Sequence, residues 1–222
     1  MLKVNQLNGF GVGGAGVTPV ALSVTDTETQ TPSATTYTFS SKSLGAASSD
    51  RIIAAVIFSD AIAGGISSST INGVSGTTQV ETTKGNEFTG IITAAVPTGT
   101  TGDVVVTFDD SGNSCALAVY SITGASSITA ADTLIVNSDA NPTGSLTVGN
   151  GGCIITAGYG EASNQTWVYT EPTTEGADLF WESVRNAGSG YDVYEVGGTK
   201  SIDVTTSVGS MLITFCAMSL DP

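Results

Sequence analysis

Four short segments of this chain are apolar or small at nearly every position: RIIAAVIF at 51–58, CALAVYSI at 115–122, CIITAGY at 153–159 and MLITFCAMSL at 211–220. A strand shows alternate residues to opposite sides of its sheet, so a strand that is apolar on both sides must be covered twice. An ordinary antiparallel sandwich covers only its inner faces. The second cover has three candidates: the N-terminal segment, the long stretch 123–144, or a second copy of the chain. A second copy is the favoured one, because a large uncovered apolar face marks an interface.

The remaining text is strands and turns. Tyr37 and Phe39 alternate with hydroxyl residues in 36–40, and further strand-like runs lie around Ile71 and at 87–96, 103–108, 145–148, 166–170, 178–183, 191–196 and 201–206. Turn chemistry separates them, with Asn72-Gly73 the strongest hairpin signal and Asp110-Ser111-Gly112-Asn113, Asn150-Gly151-Gly152 and Gly197-Gly198 in similar roles. No segment sustains a 3.6-residue apolar stripe, and no internal repeat at a fixed period is visible. The expectation is an all-β fold: one antiparallel β-sandwich of jelly-roll type over 25–222, preceded by a Gly-rich N-terminal arm over 1–24. The stretch 127–144 reads as an excursion that keeps Leu134, Ile135 and Val136 for docking.

In the arm, Gly9, Gly11, Gly13, Gly14 and Gly16 alternate with Phe10, Val12, Ala15 and Val17. Ordering about 20 such residues costs on the order of 20–40 kcal/mol of backbone entropy, so an ordered arm needs a surface to lie on. Phe10, Val12, Val17, Val20 and Leu22 are the expected partner-binding residues. A neighbouring subunit is the preferred surface.

The chain contains no histidine, and 20 acidic residues face 6 basic ones for a net charge of -14. Without histidine there is no Ser-His-Asp triad, no Cys-His pair and no His-based zinc site. The negative field disfavours nucleic acid and anionic membrane surfaces as partners. No apolar run approaches the roughly 20 residues of a membrane helix, and no apolar core follows Lys3 as in a secretion signal. Cys115, Cys153 and Cys216 sit in apolar runs and read as free, buried thiols of a protein made in a reducing cytoplasm. Catalytic residues, cofactors and metals are expected to be none.

Weaker constellations remain. Asp109, Asp110 and Asn113 could offer oxygens to calcium, but they are ordinary turn formers. Glu161, Glu171, Glu175, Asp178 and Glu182 lie near Trp167 and Trp181, as two carboxylates and an aromatic platform would in a glycosidase; solvated strand faces explain them more cheaply. Trp167, Tyr169, Trp181, Tyr191 and Tyr194 form an aromatic set that is either core, subunit interface or a glycan platform. Asn164-Gln165-Thr166 matches a glycosylation sequon, GFGVGGAG is not preceded by a strand, and neither carries an argument.

The segments YTFSSKSLGAASSDRIIAAVIF at 37–58, STINGVSGTTQV at 69–80 and AAVPTGTTGDVVVTFDDSGNSCALAVYSITG at 94–124, with the closing MLITFCAMSL, carry a resemblance. In their order they resemble tailed-bacteriophage virion proteins with a jelly-roll-like sandwich, of the head decoration or cement type. The resemblance covers about half the chain and is strongest over 37–124. It implies a structural protein, not an enzyme, displayed on the virion surface after synthesis in the host cytoplasm. Its implied partners are the major capsid protein and itself, as a homotrimer. The alternative is a carbohydrate-binding receptor module on a tail or head fibre, with a host-surface glycan as partner.

Overall fold

The computed structural model describes residues 17–60, 62, 64–138, 141–161, 166–181, 185–207 and 213–222. Every regular element among them is a strand. The first half holds β1 (Ala21–Gln30), β2 (Ala34–Ser43), β3 (Ile52–Asp60), β4 (Ile66–Ile71), β5 (Val74–Ser75), β6 (Thr77–Lys84), β7 (Glu87–Ala95), β8 (Thr101–Gly112) and β9 (Ser114–Thr123). The second holds β10 (Asp132–Ser138), β11 (Thr143–Val148), β12 (Cys153–Glu161), β13 (Trp167–Glu171), β14 (Thr174–Trp181), β15 (Arg185–Val193), β16 (Gly198–Thr206) and β17 (Ile213–Leu220).

The strands form four antiparallel sheets. An inner sheet of order β1-β9-β3-β7-β6 and an outer sheet of order β2-β8-β4-β5 make the first half. An inner sheet of order β10-β17-β12-β15-β14 and an outer sheet of order β11-β16-β13 make the second. The two orders correspond strand for strand, with β10 standing for β1 and β17 for β9; only the two-residue β5 has no counterpart. The architecture repeats although the sequence shows no repeat. The one sandwich expected over 25–222 is therefore two sandwiches.

Three apolar cores lie between the four layers. Ile53, Ala55, Ile57, Leu117 and Val119 of the first inner sheet meet Tyr37, Phe39, Val104, Val106 and Phe108 of its outer sheet. Ile154, Phe215 and Ala217 meet Leu146, Trp167, Ile202 and Val204 in the second half. Between the two inner sheets lies a third core: Ile52, Ala54, Val56, Phe58, Ala118 and Tyr120 against Cys153, Ile155, Ala157, Tyr159, Cys216 and Met218.

This central core explains the four two-faced strands. All four, β3, β9, β12 and β17, are interior strands of the two inner sheets, and each is covered on one side by its own outer sheet and on the other by the opposite half. The second cover comes from within the chain, so the pattern that favoured a second copy is accounted for without one. The physical reason is that a strand's two faces cannot report whether the covering layer belongs to the same molecule. The stretch expected as an excursion supplies β10, an edge strand on β17, with Leu134 and Val136 packed inward and Ile135 exposed.

Polar contacts tie the halves. The Tyr120 hydroxyl donates to Ser189 Oγ at 2.5 Å across the central core. The Ala130 N–H donates to Gln79 Oε1 at 2.7 Å and Thr93 Oγ1 donates to the Ile128 carbonyl at 2.7 Å, fastening the connecting segment to the first half. Asn137 Nδ2 donates to Thr82 Oγ1 at 2.9 Å.

Candidate functional site

The residues expected to meet a partner divide. Val17 is exposed, whereas Val20 is 2% exposed in the central core and its N–H donates to the Gly151 carbonyl at 2.7 Å. Leu22 lies on β1 and packs half-buried against the same core. Val20 and Leu22 are thus withdrawn from the partner-binding set: once the backbone enters a sheet, its alternate apolar residues go to the nearest core. The expected arm boundary at 24/25 falls inside β1, which pairs with β9 from Ala21 onward. Phe10 and Val12 lie outside the described residues.

The aromatic set divides too. Trp167 is 2% exposed, between the sheets of the second half. Its ring lies over two glycines: a Cβ at Gly158 would sit 2.5 Å from Cζ3, and one at Gly188 2.5 Å from Cγ. Tyr169 lies over Gly190 in the same way, and burial raises its phenol pKa well above the ordinary value. Trp167 offers no face to a sugar, because two strands have given up their side chains to receive it. Tyr191 packs edge-on against Tyr120, with centroids 5.7 Å apart. Trp181 belongs to β14, and its side chain lies outside the described residues.

Tyr194 is half-buried. Its hydroxyl donates to Glu171 Oε1, and Lys200 Nζ stands 4.7 Å from its ring centroid. Burial, then the Glu171 carboxylate, push its pKa up. The trio links β13, β16 and the chain after β15. Tyr194 thus holds one of the carboxylates considered for hydrolysis. Asp178 lies on β14, and burial followed by the charge of Glu175 raises its pKa. Glu182 and the side chain of Glu161 lie outside the described residues. Asn113, considered for calcium, donates instead to Asp60 Oδ2 at 3.2 Å, and no metal-binding group of three or more His, Cys, Asp or Glu occurs among the described residues.

Sequence reasoning missed a polar end to the central core. Asp60 closes β3, is 4% exposed, and forms an ion pair with Arg185 of β15 in the other half. Glu87, register partner of Asp60 on β7, is also buried, as are Thr89 and Thr214. A charge pair largely withdrawn from water is worth little as net stability, but breaking one partner is costly, so it disciplines how the halves meet. The one available signal was Asp60 ending an otherwise apolar run.

Among the described residues Tyr120, Ser189, Asp60 and Arg185 thus join the halves, and half-buried Tyr194 ties Glu171 and Lys200 together. Comparison of the chain with protein-family models, with curated proteins and with solved structures finds no match in any of the three.

Proposed function

We propose that this chain is a structural virion protein of a tailed bacteriophage, most simply a head decoration protein that binds the major capsid shell. Each half is read as a jelly roll, since β1-β9-β3-β7 facing β2-β8-β4 is the strand order two interlocked Greek keys produce. The observation that carries the functional reading is the four-layer stack. Its apolar faces are consumed internally, and its two outer sheets face opposite ways.

Those outer faces are rich in hydroxyls. Thr36, Thr38, Thr107 and Ser68 line one, and Ser145, Ser201, Thr147 and Thr199 the other. Such surfaces suit broad contact with neighbouring protein, and two of them back to back suit bridging between capsomers. Bridging raises effective concentration, so individually weak contacts hold together. Residues 1–16, in which glycine is interspersed with apolar side chains from Gly9 onward, are the proposed attachment to the shell. The self-partner of the resemblance, a homotrimer, is not needed to cover the inner strands; it would form through edges or outer faces.

Antibodies raised against the folded chain should decorate heads of the producing phage in electron micrographs. Labelling of neither head nor tail overturns the reading. A chain lacking residues 1–16, which leaves Val20 and β1 whole, should fold but lose attachment to heads; undiminished attachment removes the arm from the mechanism.

A further inference from the structure

The Asn72-Gly73 hairpin, which joins β4 to β5, forms one wall of a polar recess of about 360 Å³ lined by Ser41, Asn72, Gly73, Thr101, Gly102 and Asp103. From this lining we infer that the recess is a binding site for one unit of a neutral, hydroxyl-rich ligand, a sugar residue of a glycan. It is independent of the virion reading, and it lies in the first half, away from the aromatic set.

Asp103 ties the walls of the recess together. The Asn72 N–H donates to the Asp103 carbonyl at 2.7 Å, and the Ser41 N–H donates to Asp103 Oδ1 at 2.8 Å. Asn72 and Gly73 have φ of 52° and 76°, the pairing a two-residue hairpin turn requires, and Ser41 has φ of 55°. Gly102 has no side chain where Asn72 leans: a Cβ there would be 2.7 Å from the Asn72 Cβ. Three elements therefore converge without filling the space between them, so little ordering remains to be done on binding.

The free hydrogen-bonding capacity defines the ligand. Within the described residues no hydrogen bond is made by the Asn72 side-chain amide, the Ser41 hydroxyl or the Thr101 hydroxyl, and Asp103 Oδ2 accepts none. A carboxylate oxygen accepts from a hydroxyl, an amide donates and accepts, and two hydroxyls do either. No cationic side chain lines the recess, and one carboxylate does, so phosphate and carboxylate ligands are repelled. No large apolar side chain lines it, so acyl and aromatic ligands gain nothing there. Adjacent hydroxyls on a saturated ring match what remains. Without an aromatic platform a single unit is held weakly, and the contact becomes useful through multiple copies.

The test is an amide-shift titration of the ¹⁵N-labelled full chain with the methyl glycosides of glucose, galactose, mannose and N-acetylglucosamine. Saturable shifts are expected at Asn72, Gly73, Thr101 and Gly102 with at least one of them. Asn72→Gly keeps the turn, because glycine accepts a positive φ, and should weaken binding about tenfold, the loss of one good hydrogen-bonding group. Gly102→Ala, which pushes Asn72 aside, should do the same. The inference is overturned if no glycoside shifts these residues, if Asn72→Gly binds as well as the parent, or if calcium chloride alone reproduces the shifts.

Discussion

Arg51 shows how one side chain can close an end of a sandwich. It is 1% exposed, and its guanidinium donates to the carbonyls of Leu44, Gly45, Val96, Thr98 and Gly99 at 2.7–3.1 Å. The planar fork satisfies five acceptors from two loops at once, which an ammonium cannot do. Arg51→Ala should lower the free energy of unfolding by about 3 kcal/mol, and Arg51→Lys should recover less than half of that, read from urea midpoints at constant m-value. Full recovery by lysine would show that charge alone matters there. The cysteines behave as the sequence led one to expect: all three are free and buried. Burial pushes the Cys153 and Cys216 thiols from 9.0 up to about 12, and burial pushes Tyr37 from 10.0 to about 12. Unfolding returns these groups to their ordinary values, so the unfolded chain loses its protons first as pH rises. The stability they contribute is whole below pH 9.0 and is lost as pH rises toward about 12. A urea midpoint that stays level from about pH 9 to pH 11 would contradict this.

Among the elements, β15 is the instructive miss. The expected strand began at Tyr191, yet β15 begins at Arg185 and runs through RNAGSGYDV, which reads as a loop. Glycine weakens a strand unless something must come close to its backbone. Here Trp167 and Tyr169 come close, and Gly188 and Gly190 admit them. Gly188→Ala should therefore destabilise by about 1–3 kcal/mol through overpacking, and a smaller residue at 167 should restore part of it. Equal melting temperatures for Gly188→Ala and the parent would remove the steric account. β1, β6 and β10 were also illegible: each is an edge strand, and the polar side chains an edge tolerates hide its alternation. The Asn72-Gly73 hairpin was legible, because only a turn with two positive φ values asks for that pair.

At the scale of the molecule, the central core makes the halves interdependent. A chain of residues 17–124 would expose Ile52, Ala54, Val56, Phe58 and Tyr120 on one face. It should self-associate through that face or precipitate, and light scattering showing a soluble monomer would contradict the stacking. Phe58→Asp in the whole chain buries a charge against the second half and should cost well over 3 kcal/mol. Calorimetry of the parent should show one transition, since neither half keeps its inner face dry alone; two resolved transitions would separate them.

The all-β class, the strand interiors, the turn at Asn72-Gly73 and the buried thiols were determined by local pattern, because alternation and turn chemistry are properties of a few consecutive residues. The doubling of the sandwich, the internal cover of the two-faced strands, the burial of Trp167 and the recess at Asp103 were decided by tertiary structure. Each depends on which sheet lies against which, and two faces of a strand look alike in sequence whether the covering layer is a neighbour, another molecule or the chain's own second half.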